Sequence, residues 1–267
     1  MRVTINGYAL AVEDGGRGTP LLLLHGFPMS SAIFAPIRPF VERSGRLITM
    51  DLRGFGASDA PQGRYGMDEL AEDVVRVADH LGLERFVLGG HSMGGYVAFR
   101  IAARHRHRLS GLVLIDTRAA ADTPEGVERR RATIATIKGG GRNVFLDGFL
   151  PLLVGPVTRD RKPKVMEQLR AIAAGIPDHV LTGCLEGMMT RPDSRDLLAG
   201  LDLPTLVIVG AQDPVTPPDE ARALALALPR GELLEVPDAG HTPTLEQPAI
   251  VGEAVARFLA EQLGSAG

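Results

Sequence analysis

Ser92, Asp213 and His241 have side chains that could carry out acyl transfer if the fold brought them together. A serine hydroxyl attacks a carbonyl only when a base takes its proton, and that base needs a third group to orient it. Ser92 lies in Gly90-His91-Ser92-Met93-Gly94, after an apolar run at 86–88 and before a helical pattern at 96–104. A tight strand-to-helix turn cannot hold bulky residues two places before and two after its centre, and both places are glycine. Such a nucleophile elbow presents the hydroxyl at a helix N-terminus, where the backbone dipole favours negative charge. A glycine-rich turn that merely contains serine would not need both flanking contexts.

The acid and the base should come later in the chain, each at a strand end. Asp213 sits in Gly210-Ala211-Gln212-Asp213-Pro214, after the apolar run 206–209. His241 sits in Asp238-Ala239-Gly240-His241, after the run 232–236. Asp116 is the rival acid, since it ends the run 112–115; its glycine-rich turn favours Asp213, and Asp116 reads otherwise as a strand-end cap or a contact to the segment after it. Asp51 precedes the serine and reads as part of a structural turn over 51–58. Asp238 reads as a turn residue. His91 is expected to have a positioning role and His25 to brace its loop. Cys184, in helical surroundings, reads as structural.

Acyl transfer also needs donors for the developing oxyanion. The Met93 N–H, directly after the serine, is one candidate. The second should come from His25-Gly26-Phe27-Pro28, the loop after the run 21–24. Gly26 permits close approach, the Phe27 N–H is the chosen donor, and the Phe27 ring is expected to line the acyl pocket. Losing one such donor typically raises the barrier by about 2.7–4 kcal/mol.

These residues need a rigid frame. Apolar runs at 21–24, 47–50, 86–88, 112–115 and 206–209 each stop at glycine or a polar residue, the pattern of buried parallel strands. Between them, Leu70, Val74, Val77 and Leu81 mark one face of a helix over 68–81. A second helix is expected over 216–228, with Thr216 as its cap, Pro217 in its first turn, and Asp219 and Glu220 suiting the dipole. Segments 2–5 and 8–12 around Asn6-Gly7 read as a hairpin. The alternation predicts an α/β fold, a mostly parallel sheet with helices on both faces.

From 117 to 200 no strand-like run occurs, and the stretch is too long for a plain loop. It is expected to be a helical cap inserted between core segments 1–116 and 201–267, with Gly139-Gly140-Gly141 as a hinge or flexible turn. It carries Arg129, Arg130, Arg131, Lys138, Arg142, Arg159, Arg161, Lys162 and Lys164. A solvated helical face is the plainest reading of these charges. The sharper one is that a basic residue holds a substrate carboxylate.

Composition narrows the classes. The 267 residues suit one large domain, and 45% are hydrophobic, enough for a substantial core. A net charge of −3 argues against nucleic acid or an anionic membrane as partner. The single cysteine leaves no internal disulfide and no cysteine metal cluster, which fits a reducing, cytoplasmic setting. No signal-peptide pattern and no span-length apolar run is expected.

Taken together, His25-Gly26-Phe27-Pro28, the 51–58 turn, Gly90–Gly95, Gly210–Asp213 and Gly240-His241 resemble the α/β-hydrolase superfamily over nearly the whole chain. The Ser, Asp, His order is that of its triad. The resemblance implies a serine hydrolase, acting on small carboxylic esters or lactones without metal or cofactor. Carbon–carbon bond hydrolases and enol-lactonases of aromatic degradation share the pattern, as do cofactor-free perhydrolases or haloperoxidases. The last group commonly has tryptophan after the His-Gly pair, where this chain has Phe27. Haloalkane dehalogenases and epoxide hydrolases use an aspartate nucleophile where this chain has Ser92. A non-catalytic ligand-binding relative is the reading of a different class. Since the base must be neutral, activity is expected to rise through roughly pH 6–8.

Overall fold

The computed structural model describes residues 1–263. Its frame is one eight-stranded sheet: β1 (Arg2–Ile5), β2 (Tyr8–Gly16), β3 (Pro20–Leu24), β4 (Arg46–Met50), β5 (Phe86–His91), β6 (Leu109–Ile115), β7 (Thr205–Gly210) and β8 (Gly231–Val236). The spatial order is β1-β2-β4-β3-β5-β6-β7-β8. β2 runs antiparallel to both β1 and β4, and every later pairing is parallel. The hairpin turns at Asn6 and Gly7, both at positive φ (48° and 85°), as a two-residue turn matched to strand twist requires.

The parallel strands are apolar on both faces because each face has its own core. Leu22 and Leu24 of β3 belong to one hydrophobic cluster, Leu21 and Leu23 to the other. Leu112 and Leu114 alternate with Val113 and Ile115 in the same way, as do Val207 and Val209 with Leu206 and Ile208. This period of two explains why unbroken apolar runs mark these strands. One face is covered by the helices Met67–His80 and Met93–Arg104, through residues such as Leu70, Val74, Val97 and Ile101. The other is covered by Phe34, Ile37, Val41 and the C-terminal helix, with Val251, Val255 and Phe258.

Parallel pairing puts the C-terminal strand ends along one edge. Leu24 pairs with Gly90, His91 with Ile115, Ile115 with Ile208, and Gly210 with Val236. Residues just beyond these ends, including Phe27, Ser92, Asp116, Asp213 and His241, are therefore delivered to one side of the sheet.

Between β6 and β7 the chain forms helices only, among them Pro124–Lys138, Arg142–Phe149, Pro163–Ala174 and Asp178–Met189. Gly140 takes φ +84° between the first two. Cys184 lies fully buried in the last, and burial pushes its thiol pKa up, which suits packing and opposes a thiolate.

One local expectation needs correction. The helix after β7 is Pro218–Ala227, with Pro217 at its N-cap and no side-chain cap. Thr216 does not cap it; its hydroxyl turns back to Asp213. Asp219 and Glu220 do occupy the first turn.

Candidate active site

Ser92 stands at φ +50°, ψ −113°, between β5 and the helix Met93–Arg104. A non-glycine residue there stores roughly 1–3 kcal/mol of strain. The surroundings hold it: its N–H donates to Ile115 O at 2.9 Å, and its carbonyl accepts from Thr117 Oγ1 at 2.8 Å. The flanking glycines are steric requirements. A Cβ on Gly90 would lie 2.4 Å from the Gly94 carbonyl, and one on Gly94 2.3 Å from Leu24 O.

The β3 loop comes down directly onto this turn. A Cβ on Gly26 would fall 2.9 Å from Ser92 Cβ, so the Phe27 amide lies close to the serine. Met93 opens the helix, where an N–H has no intrahelical acceptor. Among the described residues neither the Phe27 nor the Met93 N–H has a hydrogen-bond acceptor. His25 ties the loop down: its Nε2 accepts from Leu52 N at 3.0 Å, and its Nδ1 lies 2.9 Å from Gly26 O. Burial lowers its pKa. Asp51 serves the neighbouring turn, accepting from the N–H groups of Ser31 and Ala57, both at 2.8 Å.

Asp213 and His241 meet at 2.7 Å, Nδ1 to Oδ2. The carboxylate accepts further bonds from Thr216 Oγ1 at 2.6 Å and from the Val215 and Thr216 N–H groups at 2.7 and 3.2 Å. Burial opposes its ionisation, yet His241, with Asp116 and the Thr216 hydroxyl beside it, holds its pKa below the usual carboxylate range. With Nδ1–H given to Asp213, His241 Nε2 is left as the acceptor. Asp116, Asp213 and His241 form the cluster, among the described residues, with metal-ligand spacing. Both oxygens of Asp213 already accept hydrogen bonds.

The serine and histidine turns are joined through His91. Its buried Nε2 donates to His241 O at 2.5 Å, a tie between the two turns. Burial, then the neighbouring His241, lowers its pKa to about 3. Asp238 turns the backbone at φ +52°.

Two contributors left no clear mark in the sequence. Thr216 is one. The other is Glu246, fully buried, whose Oε1 accepts from the Gly240 N–H at 2.8 Å and whose Oε2 accepts from the Gly155 N–H at 2.8 Å. It fixes the histidine turn to the segment between β6 and β7, as does Thr242 Oγ1 on Leu153 O at 2.9 Å. A glutamate in a short, otherwise apolar helical turn was the available signal.

A cavity of about 400 Å³ opens beside the loops that carry Phe27 and Asp213. Phe27, Phe145, Phe149, Leu152, Leu185, Pro214 and Val215 line its apolar side, and Arg118, Asp122, Arg129, Arg130 and Thr133 its polar side. The Phe27 ring centroid lies 6.2 and 6.3 Å from those of Phe145 and Phe149. Asp122 is ringed by Arg130 at 2.5 Å, Arg191 at 2.8 Å and Arg118 at 3.7 Å. Of the other basic residues, Arg131 pairs with Glu128, Lys138 with Glu186, Arg142 with Asp178 and Arg159 with Asp160, while Lys162 donates to Glu246 O. Arg129 has no ion-pair partner among the described residues and lies at the cavity.

Residues 19–154 match the family model described as alpha/beta hydrolase fold, and residues 183–263 match one described as TAP-like protein. An AB hydrolase superfamily protein of Bacillus subtilis is 32% identical, covering 93% of this chain and 94% of its own length. Among solved structures, a thermophilic esterase from Thermogutta terrifontis superposes with TM-score 0.93 at 40% identity, covering 98% of this chain and 99% of that one. The enol-lactonase from Burkholderia xenovorans gives TM-score 0.90 at 27% identity, covering 98% and 100%. With the parallel sheet and the strand-end cluster just described, these matches place the chain in the α/β-hydrolase superfamily.

Proposed function

We propose that this protein is a serine hydrolase of small carboxylic esters or lactones, with Ser92, His241 and Asp213 as its triad. The observation that carries it is the 2.7 Å Asp213–His241 pair joined through His91 to the turn that presents Ser92. His241 Nε2 takes the Ser92 proton as Oγ attacks the carbonyl. The Phe27 and Met93 N–H groups receive the oxyanion, and Asp213 stabilises the imidazolium. His241 then gives the proton to the departing alcohol, and water repeats the sequence on the acyl-enzyme. This chemistry needs neither metal nor cofactor. Relatives named as an esterase, an enol-lactonase and a pimeloyl-[acyl-carrier protein] methyl ester esterase support the substrate class.

In this reading segment 117–200 caps the site, and its phenylalanines, with Phe27, receive the apolar part of the substrate. A single buried cysteine fits a cytoplasmic setting; no described helix is long and apolar enough to cross a membrane. Ser92→Ala tests the assignment. Turnover of p-nitrophenyl butyrate should fall by about 10⁶-fold, and a fluorophosphonate probe should label the parent and not the variant. Undiminished turnover or labelling in Ser92→Ala would sink it.

One observation favours a substrate bearing a carboxylate. Arg118, Arg129 and Arg130 line the cavity with only Asp122 among its lining acids, an excess of positive charge facing the apolar subsite. Arg129→Ala should then raise KM about 10-fold for an ester with a free carboxylate and leave that of a neutral ester unchanged. Equal effects on the two esters would remove this second reading.

A further inference from the structure

The chemistry proposed for the triad leaves one buried acid unused. Asp116 ends β6 at φ +43° and is 1% exposed. Its Oδ1 accepts from the Gly210 N–H at 2.9 Å, which fixes the plane of the carboxyl group. Its Oδ2 is fully buried and meets no N–H or hydroxyl donor. What it does meet is the Asp213 carboxyl group: one oxygen of each acid and a ring nitrogen of His241 all lie within 4.8 Å of one another. Two carboxylates have four acceptor oxygens and no donor, so a hydrogen bond between them requires a proton on one.

The neighbours decide which. Asp213 already receives two N–H groups, a threonine hydroxyl and His241. Asp116 receives one N–H. The charged and titratable groups around it are Asp213 from the β7 loop, His241 from the β8 loop, Glu246 from the helix Pro243–Glu246, and His91 at the end of β5. We propose that Asp116 is a positioning residue that donates an Oδ2–H hydrogen bond to Asp213 and leaves Asp213 as the one carboxylate serving His241. Burial, and next the charge of Asp213, push the Asp116 pKa well above the usual range, in keeping with that geometry.

This differs from a second triad acid. An ionised Asp116 would add negative charge beside the imidazole and make it more basic. A protonated Asp116 draws charge from Asp213 and makes the imidazole less so. The inference rests on the serine hydrolase reading for its kinetic arm alone.

Two variants and one spectrum test it. In Asp116→Ala, Asp213 loses a donor, so kcat/KM for p-nitrophenyl butyrate should fall by about 10-fold or more. The acid limb of its pH profile should move to higher pH. Asp116→Asn should rescue both, because its amide can accept from Gly210 and donate to Asp213 with the charge of the neutral acid. If the acid limb of Asp116→Asn instead moves down by about 0.5 pH unit or more, Asp116 is ionised and the proposal fails. It fails equally if neither limb nor rate changes in Asp116→Ala. The infrared arm needs no turnover: the resting protein at pH 7 should show a protonated carboxyl C=O band that disappears in Asp116→Asn. Absence of that band from the parent protein overturns the proposal even if Asp116→Ala does not fold. Loss of Ser92 labelling bears on the function and leaves this arm intact.

Discussion

His91 donates from Nε2 to the carbonyl oxygen of His241 at 2.5 Å, so the residue before the proposed nucleophile holds the backbone of the proposed base. Burial keeps His91 neutral down to about pH 3, so over the working range its one ring N–H is the one given to His241 O. His91→Ala should therefore lower kcat/KM about 10-fold through a misplaced His241, with the carbonyl left unpaired. Steady-state kinetics beside a far-ultraviolet spectrum would check that the loss is local. Undiminished kcat/KM in a folded variant would show the bond has no catalytic consequence.

The same depressed pKa has a stability consequence. Between about pH 3 and the ordinary histidine value near 6.5 the unfolded chain binds a proton at His91 that the fold excludes. Its contribution is fully present above about 6.5 and is lost as pH falls toward 3. Thermal melts should show a Tm that drops through this window, and His91→Gln should flatten part of the drop.

Asp116 acts with the opposite sign. Its raised pKa means the fold retains a proton that the unfolded chain releases near pH 4. Stability should decline as pH rises from about 4 toward the folded value. Asp116→Asn, which cannot ionise, should be the more stable protein at pH 7. An equal or lower Tm for the variant at that pH would contradict a strongly raised value.

Glu246 is expected to matter for stability more than its place in a short helix suggests. Its two oxygens satisfy the buried N–H groups of Gly240 and Gly155. Glu246→Gln leaves one of them facing an amide NH₂. A loss of about 2 kcal/mol is expected, a fall of about 4–8 °C in Tm for a domain of this size. A calorimetric scan that finds no change would show that water replaces the carboxylate.

Gly94→Ala tests the elbow. The added Cβ would sit 2.3 Å from Leu24 O, which is backbone at the C-terminal end of the central strand β3. Overpacking of this kind costs about 1–3 kcal/mol, and the Ser92 turn must shift to relieve it. Both Tm and fluorophosphonate labelling rate should fall.

The fold was legible because each face of the sheet is buried: four consecutive leucines at 21–24 can satisfy two cores at once only in a strand. Asp213 and His241 were legible because parallel strands deliver the loops at their C-terminal ends to one edge. Thr216 was not. Its type and place before Pro217 suit a helix cap equally well, and only the fold of the β7 loop turns its hydroxyl back onto the Asp213 carboxylate three residues earlier. Asp116 was hidden for a related reason. A strand-end aspartate is ambiguous until its neighbour on the β7 loop is known, and that neighbour is another acid. The basic residues of 117–200 were legible as a class but not singly, since most find local acids, while Arg129 and Arg130 reach the cavity.

The chain leaves the sheet after Ile115 and re-enters it at Thr205, on the strand directly alongside. Thr205 pairs with Leu112, so the long helical excursion leaves and re-enters the sheet on adjacent strands, three residues (roughly 10 Å) apart along the strand direction. Closure of such a loop depends only weakly on its length. Helices can be lengthened, exchanged or rebuilt there while strand register, and with it the Asp213–His241 geometry, stays as it is. If the proposed acyl transfer holds, selection for a new acyl group can act on one stretch of sequence while the proposed Ser92, His241 and Asp213 are inherited unaltered. The ties at Leu153 and Gly155 mark where that freedom ends.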